Sequence, residues 1–338
     1  MAKKKAALKD IANLANVSIA AVSYVLNSQE HKVAPENAKK IKAIARKLNY
    51  RPNHLARSLK TQKTHTIGLV VANISYRFTT GITSAIEAQA KKNRYTVIFG
   101  SSDEHVEKFD ELLNVFINRQ VDGLILVPVE NSEKEINYLK EQGLPFVLID
   151  RYFPGISTNY IAVDNYNTAF NAVSYLVEMG NKRIAFINYK SKQFHLKERT
   201  RGYLEALKKH NISGRRLLYR EIRQEHMDRE LGPAIDELLK HSKEKLAIFF
   251  ATDTLAINGM KHLTRMKLKV PDDVHVLSFD EAEAFELYPH AITHCRQPLE
   301  AMGKIAVETL LSIMEDKKIT TQILLPADFV AGESCGEI

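Results

Sequence analysis

Leu8-Lys9-Asp10-Ile11-Ala12-Asn13-Leu14-Ala15-Asn16-Val17-Ser18-Ile19-Ala20-Ala21-Val22-Ser23-Tyr24-Val25-Leu26-Asn27 is the stretch that decides how this chain is read. Its spacing predicts two short helices with a tight turn between them, the geometry that lays one helix in the DNA major groove. Asp10 suits the positive end of the first helix, and Ile11, Leu14 and Ala15 form its expected buried stripe. Asn16 tolerates a left-handed turn and Ser18 is a suitable N-cap for the second helix. Val22, Val25 and Leu26 then face the first helix, which leaves Ile19, Ala20, Ser23, Tyr24 and Asn27 pointing outward. A plain small helical bundle shows such stripes too.

Charge separates the two readings. Residues 1–63 carry 14 Lys/Arg against 3 Asp/Glu, while the other 275 residues carry 34 against 37. The overall net charge of +8 therefore hides an acidic body joined to a strongly basic head. Lys and Arg near phosphates release counterions, so the asymmetry points to a nucleic acid. A solvated basic tail would carry the same charge but no helical periodicity beyond Lys5.

A chain of 338 residues has material for two or three globular units. The two cysteines, Cys295 and Cys335, form no disulfide framework and no CxxC pair, so a reducing cytoplasm is expected. The lysine-rich start is followed by no apolar segment of the secretory kind, and no apolar run approaches the ~18 residues that span a bilayer. No membrane partner is expected.

A third head helix is predicted from Pro35 to Leu48, with Ala38, Ile41, Ile44, Ala45 and Leu48 on one face. Asn49-Tyr50-Arg51-Pro52 breaks it, and Asn53 to Lys60 follows, too short to be a stable helix alone in water. From Thr66 the pattern changes. Eight short apolar runs, at 67–72, 95–100, 123–127, 146–149, 161–163, 184–187, 246–250 and 274–278, alternate with amphipathic stretches near 80–93, 106–119, 132–142, 166–179, 199–210, 229–241 and 254–268. This alternation predicts parallel, doubly wound sheets in two lobes, with ligands bound beyond the strands' carboxyl ends in the cleft between them.

The usual catalytic motifs are missing: no phosphate loop, no dinucleotide fingerprint, no HExxH and no nucleophile elbow. His262, His290 and His294 read as surface or satisfied polar residues, and Asp272-Asp273 beside Pro271 as turn chemistry. No catalytic residue, metal site or cofactor is expected.

The ordered succession of several short motifs resembles the lactose-repressor/galactose-repressor (LacI/GalR) family of bacterial transcription regulators. These are Lys9-Asp10-Ile11-Ala12, Val17-Ser18, Ala21 to Asn27, Tyr50-Arg51-Pro52-Asn53, Ala56-Arg57-Ser58-Leu59 and Thr66-Ile67-Gly68 in the first part. Val121 to Ile125, Asp150-Arg151, Val163-Asp164-Asn165, Arg199 with Gly202-Tyr203, Val270-Pro271 and Gln297-Pro298 continue the order. The resemblance covers nearly the whole chain. It implies an α helix-turn-helix head at 1–49, a hinge helix and linker at 50–64, and an α/β two-lobed periplasmic-binding-protein-like body at 65–338. The N-lobe would hold about 65–163 and 293–322, the C-lobe about 164–292 and 323–338.

The function the resemblance implies is a homodimeric repressor that binds pseudo-palindromic operator DNA under control of a small effector, a sugar or sugar derivative. A sugar-binding protein without DNA binding and a sugar-processing enzyme are the alternatives. Ile19, Ala20 and Tyr24 would lie nearest the base edges, with Ser18, Ser23 and Asn27 on phosphates. Family members often carry polar residues at the first two positions, so apolar Ile19 and Ala20 suggest contact with thymine methyl groups. Asn53, Ala56, Arg57 and Leu59 match the hinge helix, whose leucine wedges into the minor groove; a plain linker is the other reading. Effector contacts would come from Tyr76, Arg77, Phe78, Asp150, Arg199, Asp253 and Asp280, although strand-end capping also accounts for each Asp. The chain reads Tyr76-Arg77-Phe78-Thr79 where the family commonly has Asn-Pro-Phe-Phe, and Arg77 would suit an anionic group such as a sugar phosphate.

If Leu59 is a wedge, Leu59→Ala weakens binding to the operator more than to random DNA. Equal losses in a titration of both duplexes would leave only a linker.

Overall fold

Asn16 sets the local geometry of the head. It ends helix α1 (Leu8–Ala15) at φ +56°, and the Val17 N–H then donates to the Ala12 carbonyl at 3.1 Å, closing the turn. The computed structural model describes residues 6–26, 29–50, 63–212, 218–240, 244–316 and 320–336. They fall into two units, Met1–Thr64 and His65–Ile338. Asn27 and the expected hinge residues Asn53, Ala56, Arg57 and Leu59 lie outside the described residues.

In the head, Asp10 accepts from the Ala7 N–H at 2.8 Å and places its charge at the start of α1. The Ser18 hydroxyl accepts from the Ala21 N–H at 3.1 Å at the start of α2 (Ile19–Leu26). Helix α3 (Pro35–Lys47) begins on its proline, which has no N–H to leave unsatisfied. Ile11, Val22 and Ile41 are fully buried where the three helices meet. One detail differs from expectation: Leu14 is 59% exposed, and Ala12 lies inside with Ile11 and Ala15. Helix α1 packs on both α2 and α3, and those two neighbours select the flank through Ala12 rather than the one through Leu14.

The body has two six-stranded sheets. The first runs in the order β11-β5-β4-β3-β1-β2, all parallel: β1 (Thr66–Val71), β2 (Thr96–Ser101), β3 (Gly123–Leu126), β4 (Phe146–Ile149), β5 (Tyr160–Val163) and β11 (Gln322–Leu325). The second runs β12-β10-β9-β8-β6-β7: β6 (Ile184–Tyr189), β7 (Tyr219–Ile222), β8 (Leu246–Phe250), β9 (Val274–Ser278), β10 (Thr293–Arg296) and β12 (Asp328–Val330). Only β12 is antiparallel to its neighbour. Every residue of β3, β4, β8 and β9 is buried, as parallel strands covered by helices on both faces must be.

The helices between strands are α4 (Arg77–Lys92), α5 (Val106–Asn118), α6 (Glu133–Glu141), α7 (Asn165–Glu178), α8 (Phe194–Lys209), α9 (Met227–Leu239), α10 (Asp253–Arg265) and α11 (Leu299–Met314). The chain crosses between lobes near 164, 297–298 and 326–327. The last two crossings correct the expected lobe limits at 293 and 323. β10 still pairs with β9, and β11 still pairs with β5, so backbone hydrogen bonding carries each lobe a few residues further. The edge and closing elements β7, β10, β11, β12 and α11 were not anticipated from sequence.

Helices α7 and α8 approach very closely. A Cβ on Gly202 would sit 2.3 Å from the Tyr166 carbonyl oxygen and 3.0 Å from the Ala169 Cβ. Gly202→Ala should therefore cost about 1–3 kcal/mol by overpacking, more than the ~1 kcal/mol that alanine returns in helix propensity. Urea denaturation measures it; unchanged or increased stability would show that the helices part freely.

Candidate functional site

Two surfaces carry chemistry, one on each unit. On the head, α2 turns Val22 and Val25 inward and leaves Ile19 48% and Tyr24 39% exposed, with Ala20 exposed beside them. The Lys32 ammonium lies 5.0 Å from the centre of the Tyr24 ring. Ser18 is occupied as a cap, and Ser23 is half-buried on the same helix. An exposed apolar pair beside a tyrosine and lysines can touch base edges and phosphates together, but cannot make the bidentate hydrogen bonds that Asn, Gln or Arg offer.

In the body, the strand ends of the two lobes enclose a cavity of about 80 Å³. Six of the seven expected effector residues line it: Tyr76, Phe78, Asp150, Arg199, Asp253 and Asp280. Arg77 does not. Its guanidinium turns to Glu281 on the facing lobe, 3.4 Å away, so the anion contact expected of it is corrected to an interlobe ion pair.

Arg199, on α8, is 3% exposed. Its Nε donates to Asn165 Oδ1 at 2.8 Å, and Nη1 donates to the Ala251 carbonyl at 2.5 Å and to Asp280 Oδ2 at 3.4 Å. The guanidinium plane lies 3.5 Å from the centre of the Phe279 ring. Burial lowers its proton affinity and the Asp280 carboxylate pulls it back. Asp280 also accepts from Gln297 Nε2 at 2.6 Å, which ties the site to a lobe crossing.

On the first lobe, Asp150 follows β4 at φ +69°, a left-handed conformation that Asp tolerates. Arg151 beside it forks onto Glu104 through two bonds of 2.8 Å. Burial alone would push Glu104 up, but the Arg151 charge outweighs it and holds the carboxyl below its ordinary range. Asp150 shares the same guanidinium more loosely, through Arg151 Nε at 3.5 Å, and burial pushes Asp150 up to about 6. Asp253, at the start of α10, accepts from the Thr254 N–H and hydroxyl, at 2.7 and 3.2 Å. Burial, then the Asp280 charge, pushes it up to about 6.

Sequence reading missed several lining residues. Arg151 and Gln297 stand inside motifs already noted but carried no expected role. Glu104, Tyr189, Gln193 and Gln224 carried no signal, being single residues on separate loops and strand ends. His195 could have been found, since it lies one helical turn before Arg199 and shares its face. It is 7% exposed, its Nδ1 has no partner, and burial followed by the two arginines keeps it neutral. Gln297 Oε1 is likewise buried without a partner. Of the three histidines read as inert, His262 meets Asp236 at 2.8 Å, His290 meets Glu333 at 3.4 Å, and His294 is buried with Nδ1 facing the Ile292 carbonyl.

The lobes meet around the cavity mouth. Gln224 donates to the Tyr76 hydroxyl, Gln193 Nε2 to Glu104 at 3.3 Å, and the Ser191 hydroxyl and Lys192 N–H to Glu130 at 2.7 and 3.0 Å. No group of three or more His, Cys, Asp or Glu among the described residues is arranged to hold a metal ion, and no described helix is long and apolar enough to cross a membrane.

Residues 7–53 match the family model for bacterial regulatory proteins of the lacI family, and residues 173–335 match that for a periplasmic binding protein-like domain. The chain is 32% identical to the ribose operon repressor of Haemophilus influenzae over 90% of its own length and 91% of that protein's. It is 29% identical to catabolite control protein A of Priestia megaterium, over 93% and 94%. The crystal structure of the lac repressor dimer bound to operator and the anti-inducer ONPF superposes with a TM-score of 0.86 over 99% of this chain and all of that one, at 22% identity, a likeness of fold.

Removing the Asp280 carboxylate takes from the buried Arg199 cation its carboxylate contact among the described residues. Asp280→Ala should cost about 2–4 kcal/mol in a denaturation experiment. A loss under about 1 kcal/mol would show that Asn165, Ala251 and Phe279 satisfy the cation by themselves.

Proposed function

Because the chain belongs to the lacI family of bacterial regulatory proteins, and is a DNA-binding transcription regulator of repressor type, we propose that it acts as a homodimer. In this reading each head reads one half of a pseudo-palindromic operator, and a small sugar-like effector in the interlobe cavity sets the affinity. The single observation that carries the effector reading is the Arg199–Asp280–Gln297 cluster: a buried cation with a half-buried carboxylate and amide lining a cleft beside Tyr76 and Phe78. Aromatic faces with a few fixed polar groups suit a polyhydroxylated ring. The name of the Haemophilus relative, a ribose operon repressor, favours a monosaccharide.

A dimer follows from DNA logic, since one short head reads only half a site. The body offers a surface for it: edge strand β2 exposes Ile98 and Phe99, and α5 exposes Val115. The interface proposed here uses β2 with α4 and α5. An effector that favours one lobe arrangement changes operator affinity by ~1–3 kcal/mol of coupling. The cytoplasm is the setting this function requires.

At the DNA, Ile19, Ala20 and Tyr24 read base edges, with Ser18 and Ser23 on phosphates. Selection of bound sequences from a randomised duplex library with the full chain should return a two-fold symmetric site carrying thymine near the Ile19 contact. Ile19→Gln should change the preferred base at that position; an unchanged site would rule out methyl readout, and no enriched site at all would sink the operator function.

A further inference from the structure

The charges that the two lobes present narrow the ligand class. The first lobe presents Glu104, Asp150 and Arg151 to the cavity, the second Asp253, Asp280 and Arg199. Each set holds two carboxylates and one guanidinium. Arg151 forks onto Glu104 and reaches Asp150 with Nε at 3.5 Å, while Arg199 bonds Asp280 and Asp253 accepts from Thr254, so in each lobe two carboxylates share a single guanidinium. Arg77 is turned to Glu281. His195 lines the same space buried and unpartnered, and supplies no charge. Closing the lobes thus gathers two excess negative charges around about 80 Å³, where low dielectric makes their interactions strong.

We propose that closure of this cavity takes up positive charge, and that the fitting effector is an amine-bearing polyol, an amino sugar in chemical class, while phosphorylated and acidic sugars are excluded. The inference rests on the sugar-effector reading above and narrows it. Tyr76, Phe78 and Tyr189 line the cavity with aromatic rings, which also favour an ammonium group. His195 Nδ1 and Gln297 Oε1 remain to bond the ligand's hydroxyls.

As pH falls through about 6, protons supply the same positive charge. Asp150 faces Arg151, Arg199, Asp280 and Glu104; Asp253 faces Asp280 and Arg199. Both carboxyls hold protons more tightly in the folded protein than in the unfolded chain. Their contribution is therefore fully present below the ordinary carboxylate range and is lost as pH rises through about 6.

Thermal melting of the full chain and of the Asp150→Asn, Asp253→Asn double variant, at about pH 5 and about pH 7, tests this without any ligand. The variant should gain on the wild type by about 2–4 °C across that interval. Parallel curves overturn the proposal, and Asp253→Asn alone serves if the double variant does not fold. At the higher pH, glucosamine should raise the wild-type melting temperature more than glucose or glucose phosphate, and lose that advantage in the variant. Glucose phosphate as the strongest stabiliser would overturn the charge assignment while leaving the sugar-effector reading standing.

Discussion

The buried guanidinium of Arg199 is the constraint around which the second lobe is organised. A charge taken out of water must find partners on every side. Here they come from three places in the chain: Asn165 at the start of α7, the Ala251 carbonyl after β8, and the adjacent Phe279 ring and Asp280 carboxylate after β9. These three places are far apart in sequence and lie at one end of the second sheet. Holding the cation fixes their spacing, and through the Asp280–Gln297 bond it fixes a lobe crossing as well. Gly202, three residues after Arg199 in α8, lets α8 lie close enough to α7 for that reach.

A parallel sheet places all its carboxyl ends on one edge, and two such sheets joined by three crossings turn those edges toward each other. Glu104, Asp150 and Arg151 on one lobe thereby come to face Asp253, Asp280 and Arg199 on the other. The contacts around the mouth are a few hydrogen bonds and one half-exposed ion pair, Arg77–Glu281. Each is weak against water. A closure held by such contacts is one that a small molecule or a proton can bias, and that is what a sensor requires.

The head follows different rules. Three short helices bury few side chains, chiefly Ile11, Val22, Val25 and Ile41, so turn chemistry at Asn16 and Ser18 carries a large share of its specification. Those are local signals, and they were legible. The side of α1 that faces inward was less so: Leu14 fits the helical period but is exposed, because α2 and α3 together choose the buried flank.

By itself the sequence determined the alternation of strands and helices, the basic head on an acidic body, and the residue types at the strand ends. Each of these depends on neighbours along the chain, which periodicity and composition record. Tertiary structure alone decided the rest. Strands β7, β10, β11 and β12 exist through pairing with distant partners; the lobe limits moved because β10 and β11 remain hydrogen-bonded where the chain was expected to have crossed. Arg77 left the site for Glu281, and His195, Glu104 and Gln297 entered it, because the direction of a side chain depends on what faces it across space.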